Sequence, residues 1–237
     1  MRAGRRLGVA LGVALLAGCL VEAAPGPTGR VSSPVALELL PDVAAFQQIE
    51  FSTLDDIEWA SDTELALIDI HEGSVLIDDI ATGERRKVGR SGEGPGELSY
   101  PVRQHVSGGA LLVADSRNQR LSLFDVEAGD FVASSWIRGM PLEILGYADS
   151  TALIALLDFM GEGGPRIEAI DLAADERREL FDVLEADDRL HRLVTKGGAR
   201  FLQVAADSSG LVYAAAGADY RIVAFDTTGM VVSERGR

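Results

Sequence analysis

Apolar positions along this chain fall in short runs, not in helical stripes. "ELALIDI" from Glu64, "ALLVADS" from Ala110, "ALIALLD" from Ala152 and "LVYAAAG" from Leu211 are of this kind. Apolar runs this short, bounded by turn residues, read as β-strands. Glycine, aspartate, asparagine and serine close most of the runs, as turns require. Four further runs align with one another: "SVLIDDIATGE", "RLSLFDVEAGD", "RIEAIDLAADE" and "RIVAFDTTGMV". Each ends at an aspartate and a turn. The aligned aspartates are Asp79, Asp125, Asp171 and Asp226, spaced by 46, 46 and 55 residues. Side-chain capping of those turns is the structural role expected of them.

Each aligned run has two strand-like segments before it and one after it. The first segments are "DDIEWAS", "PVRQHVS", "LEILGYA" and "FLQVAAD"; the last are "RRKVG", "FVASSWI", "RELFDVL" and "MVVSERG". The unit is therefore four short strands in about 46 residues. A four-stranded antiparallel sheet repeated at that period is the pattern of a β-propeller blade. No helix of ten or more residues is expected. The best helical candidate, "DERRELFDVLEADDRLHRLV", falls where a fourth strand is due. It reads as that strand plus an enlarged loop with at most one helical turn, which accounts for the 55-residue spacing.

The second unit is "YPVRQHVSGGALLVADSRNQRLSLFDVEAGDFV". It resembles the NHL repeat through Pro101, Gly108, Gly109, Asp115, Ser116, Asn118, Arg120, Phe124, Asp125 and Gly129. The first unit keeps the aspartate as Asp69 and has Glu72 for the asparagine; the fourth keeps the arginine as Arg221. The stretch "VGRSGEGPGELSYP" resembles the connector that joins outer to inner strands in bacterial six-bladed propeller proteins, many of them lipoproteins. A phosphate cradle is not expected there, because no strand–loop–helix unit surrounds it and no lysine follows its last glycine. The resemblance covers residues 46–237. It implies an all-β fold, a β-propeller of four-stranded antiparallel blades. About four blades are present, at roughly 46–98, 99–140, 141–198 and 199–237, and they read as an incomplete six-bladed ring. A strand at "VALELL", before the first unit, is a candidate for ring closure.

The N-terminus changes the picture of where the domain works. "MRAGRR" is basic and "LGVALGVALLAG" is uncharged; Cys19, the chain's single cysteine, follows. A basic then apolar leader of this length is a secretory signal and is short for a membrane span. "LAGC" (Leu16 to Cys19) resembles the lipobox of bacterial lipoproteins, which implies cleavage after residue 18 and a lipid on Cys19. Residues 1–18 are then a signal peptide, and 19–45 a lipidated, flexible tether rich in small residues and proline. The expected location is the cell envelope, lipid-anchored in the membrane. Leu20 favours the outer membrane or periplasm side if the cell is Gram-negative.

Composition is that of a globular protein, 47% hydrophobic and 25% charged. The net charge is −15, and without the three leader arginines 19 basic residues face 37 acidic ones. Such a surface repels phosphate backbones, so no nucleic-acid partner is expected.

A propeller does not fix a function. Ligands of such folds usually meet the channel mouth, on the face shared by the connectors and the loops between second and third strands. That topology nominates His71, Glu72, Glu93, Glu97, Tyr100, Arg103, His105, Arg117 and Asn118 as ligand-binding residues. Asp56 and Glu143 join Arg103 and His105 as polar positions of the inner strands. The three histidines lie in different repeats without ligand spacing, and no "DxDxDG" loop is present, so no metal and no cofactor are expected. No serine stands in a nucleophile-elbow context, and no catalytic residue is assigned. The reading is a lipid-anchored, extracytoplasmic propeller that binds a protein, peptide or glycan of the envelope without catalysis. The alternative is a propeller hydrolase or lyase with a metal-assisted site at the channel mouth.

Overall fold

The structure is a computed structural model that describes residues 53–158, 164–197, 202–216 and 221–235. Cys19, the tether and "VALELL" lie outside the described residues.

Sixteen strands form four antiparallel four-stranded sheets, each built from consecutive strands. The first sheet holds β1 (Leu54–Trp59), β2 (Glu64–Asp69), β3 (Ser74–Asp79) and β4 (Arg85–Val88). A small parallel pair follows, β5 (Arg90–Ser91) and β6 (Glu97–Leu98), inside the glycine-rich connector. The second sheet holds β7 (Pro101–Ser107), β8 (Ala110–Asp115), β9 (Arg120–Asp125) and β10 (Phe131–Trp136). The third holds β11 (Met140–Ala148), β12 (Thr151–Leu157), β13 (Pro165–Asp171) and β14 (Glu176–Asp182). After helices α1 (Val183–Ala186) and α2 (Asp188–Gly197), the fourth holds β15 (Leu202–Ala206), β16 (Val212–Ala216), β17 (Arg221–Phe225) and β18 (Val231–Arg235). The inner strands neighbour one another in order: β1 beside β7, β7 beside β11, β11 beside β15. No comparable contact joins β15 to β1 among the described residues, so the series of blades is unclosed.

Successive side chains of a strand point to opposite faces, and each middle blade is covered on both. Leu111 and Val113 of β8 pack on Ala66, Ile68 and Ile77 of the first blade. Their neighbours Leu112 and Ala114 pack on Ile144, Ile154 and Ile170 of the third. That is why β8 is apolar almost throughout. Ile167, Phe181 and Val183 meet Val204, Val223 and Phe225 at the last junction, where the Phe181 and Phe225 ring centroids are 5.5 Å apart. Each fully buried leucine, isoleucine or phenylalanine contributes about 1.5–3 kcal/mol of burial energy.

The four aligned aspartates cap their turns. Asp79 Oδ1 accepts from the Ala81 and Thr82 amides, and Asp171 Oδ1 from Ala173 and Ala174. Asp125 does the same for Ala128, and Asp226 for Thr228 and Met230.

The enlarged loop of the third blade needs correction. It carries the ten-residue helix α2, not a single helical turn. Two aspartates start the helices. Asp182 Oδ1 accepts from the Leu184 and Glu185 amides, and Asp187 Oδ1 from Arg189 and Leu190. Leu190 is buried beside Val183 and Leu184 in the third junction, so the short pattern gains its stability from tertiary packing. Among the described residues no helix is long and apolar enough to cross a membrane.

Candidate functional site

Two surfaces hold the residues nominated by the sequence. The first is the connector face. The β2–β3 turn carries His71 and Glu72 and packs directly on the connector. A Cβ on Gly73 would stand 2.6 Å from the Leu98 carbonyl oxygen, and the backbone there is left-handed at φ +57°. The β8–β9 turn reaches the same connector: Asn118 Nδ2 donates to the Gly92 oxygen at 3.0 Å. Connector and β–β turns thus share a face, as the topology implied.

Several polar groups on that face hold the loop itself. Buried Asp115 accepts from the Ser99, Tyr100, Arg117 and Asn118 amides. Asp69 repeats the device for His71 and Glu72. Arg120 Nη2 donates to the Gly94 and Glu97 oxygens at 2.7 and 2.8 Å. The Gly94 amide and Arg90 bind the Glu97 carboxylate and hold its pKa below the usual range. Glu72 pairs with Lys87 at 2.9 Å. His71, Glu93, Tyr100 and Arg117 are exposed around this frame.

The second surface is the inner wall. Strand register places Glu58, His105, Gly146 and Ala205 at equivalent positions of the four inner strands, opposite Ala66, Leu112, Leu153 and Tyr213. Arg103, Glu143 and Gln203 share the adjacent level, with Asp55 and Asp56 at the corresponding irregularity of β1. The wall therefore carries acids on β1, an arginine and a histidine on β7 and an acid on β11.

An inner strand has one unpaired edge, and here the neighbouring blade satisfies it. Asp56 Oδ2 accepts from the Gln104 amide at 3.0 Å, and Glu58 Oε2 from Val106 at 2.9 Å. Glu58 Oε1 also lies 3.0 Å from His105 Nδ1. Arg103 works the next boundary: its Nε donates to the Leu142 oxygen at 2.6 Å, while its Nη1 lies 3.5 Å from Asp55.

The Glu143 carboxyl makes no hydrogen bond to the described residues. Burial, then the negative charge of Asp56, pushes its pKa up to about 7; Glu58 adds to this, and Arg103 and His105 offset part of it. Burial also raises Asp56, against the lowering effect of the Gln104 amide and Arg103. A carboxyl near 7 can hold or release a proton at neutral pH.

The structure thus joins Asp56, Arg103, His105 and Glu143 on the inner strands, while His71, Glu93 and Arg117 lie on the turns and the connector. Sequence reasoning missed Glu58. Its signal was its column: it stands where His105 stands in the next repeat. His191 lies on α2, away from the other two histidines by element. No three histidine, cysteine, aspartate or glutamate side chains among the described residues are placed to hold a metal ion.

No protein-family model matches the chain, and no curated protein matches it in sequence. Solved structures do. The β-propeller domain of Cps50 (Swd1) from Myceliophteria thermophila is 17% identical with a TM-score of 0.55; the match covers 79% of this chain and 56% of that one. Hydrazine synthase from Kuenenia stuttgartiensis is 17% identical with a TM-score of 0.54, covering 79% and 51%. The chain spans about half the length of the solved structures it matches. At such identity the likeness establishes the fold, a β-propeller built of four-stranded blades.

Proposed function

We propose that this propeller is a binding or scaffold module for a protein, peptide or glycan, working without catalysis, and that its inner wall is the contact surface. The observation carrying this reading is the wall itself. Five charged or titratable side chains from three blades, Asp56, Glu58, Arg103, His105 and Glu143, face one region, and four are already bound to neighbouring strands. Such a surface is built to present fixed hydrogen-bonding groups, which suits recognition.

The setting belongs to the same proposal. "LAGC" after a basic and apolar leader supports a lipid on Cys19 and an extracytoplasmic cell-envelope location, in the outer membrane or periplasm of a Gram-negative cell. The connector and the Asp115–Asn118–Arg120 frame support an NHL-like propeller of the six-bladed kind. Cys19→Ser expressed in place of the parent tests the anchor. The variant is expected in the soluble envelope fraction; a variant still membrane-bound and detergent-dependent contradicts it. For binding, partners captured from envelope extract by the full chain are compared with those of Asp56→Asn/Glu58→Gln. Loss of the captured partner with the fold intact supports the wall; unchanged capture refutes it.

One observation favours the second reading, a hydrolase or lyase: the pKa of Glu143 near 7 suits a general acid or base. Turnover of an envelope glycan or peptide that disappears in Glu143→Gln would establish it.

A further inference from the structure

We propose that the seam of β1, β7 and β11 is a proton-operated latch: closed while Glu143 is protonated, and loosened when it ionises. The inference concerns the wall alone and holds whichever ligand the wall takes.

The groups facing Glu143 are few and can be named by strand. From β1 come Asp56 and Glu58, and from β7 come Arg103 and His105; Asp55 meets Arg103. The strands β12 and β15, also packed on β11, carry no charged residue within their bounds. The β8 strand adds Asp115, which is committed to the amides of the connector frame. Three acids thus share Arg103 and His105, and ionised Glu143 becomes a fourth.

The acids whose charge acts on Glu143 are also the ones that hold the edge of β7. Asp56 binds the Gln104 amide and Glu58 the Val106 amide. Arg103 reaches β11 through the oxygen of Leu142, the residue beside Glu143, and reaches β1 through Asp55. Ionised Glu143 repels Asp56 and Glu58 and draws Arg103 away from Asp55. Both effects act on the same seam, so the β7 amides lose protection together. Burial raises the Glu143 pKa to about 7, which sets the latch in the neutral range.

Amide hydrogen exchange of Gln104 and Val106 in the full chain tests this, corrected for the intrinsic pH dependence of exchange. A carboxyl moving from its ordinary pKa to about 7 makes seam opening about tenfold more frequent at about pH 8 than at about pH 6. That rise is expected in the parent and in Glu168→Gln, which removes a different buried carboxyl. In Glu143→Gln the change should stay within about twofold. No rise in the parent, an undiminished rise in Glu143→Gln, or its loss in Glu168→Gln each overturns the latch. A carboxyl-carbon titration of the parent stands independent of any variant. An inflection near 7 for Glu143 is expected, and one in the ordinary glutamate range refutes the proposal.

Discussion

The Gln104 amide donates to Asp56 Oδ2 at 3.0 Å, across a blade boundary. No strand of the second blade can serve that amide, because β7 is the last strand of its sheet on that side. The first blade supplies the acceptor. Asp56→Ala should cost about 1–3 kcal/mol by leaving the part-buried amide unsatisfied. Asp56→Asn keeps an acceptor and should cost less. Urea unfolding of the two variants checks this, and equal stabilities would mean that the clamp contributes nothing.

Asp115 is a second single point of dependence. It is fully buried and accepts four amides of the connector frame. Asp115→Ala should destabilise the protein by roughly 3 kcal/mol or more, since several amides lose their acceptor at once. Protease cleavage within residues 89–100 should rise in step. Cleavage unchanged from the parent would show that the connector is held by something else.

Two arginine pairs should behave oppositely. Arg221 is 5% exposed and binds Asp187 at 2.9 Å and Glu234 at 2.8 Å. Arg221→Met strands the Asp187 carboxylate that starts α2, and about 3–5 kcal/mol should be lost. Arg90 is 77% exposed beside Glu97. Arg90→Ala should cost less than about 1 kcal/mol. Thermal melts of both variants decide the contrast, and a reversed order contradicts it.

Much of this was legible in the chain. The sixteen blade strands fall on the short apolar or alternating runs, because a strand face against a neighbouring blade is apolar and one against solvent is not. Asp69 and Asp115 were legible as equivalents because one backbone turn needs one acceptor. The arginine column has a cause that only the structure supplies. Arg120 and Arg166 each reach back to the connector before their own blade. The first unit has buried Ser74 at that position instead. Helix α2 was not legible, because its stability lies in Leu190 and the Asp187 cap, which act only against the third junction. The wall was half legible. Asp56, Arg103, His105 and Glu143 stand out as polar positions of the inner strands, whereas Glu58 gains meaning only when register sets it beside His105.

Stability should peak in mildly acidic solution. Glu64 is held low first by its bond to Arg86, and Asp79, Glu97 and Asp226 by hydrogen bonds at their turns. Their contribution is present above the unfolded carboxyl range and lost as pH falls. Glu143 works the other way. Its folded pKa of about 7 lies above the unfolded value of 4.5, so its stabilisation is full below 4.5 and gone above about 7. The urea midpoint should therefore decline from mildly acidic to neutral pH, and Glu143→Gln should flatten that decline. A midpoint that climbs steadily through this range in the parent contradicts the assignment.

The claim that the inner wall is the binding surface is tested most directly by site-specific photo-crosslinking in intact envelopes. One photoreactive residue replaces Gln203, exposed on the inner strand β15; another replaces Val132, exposed on the outer strand β10. The account predicts a discrete adduct from position 203 that vanishes when Asp56→Asn and Glu58→Gln are added, with none from position 132. An adduct from position 132 alone, or one from position 203 indifferent to those two substitutions, contradicts it.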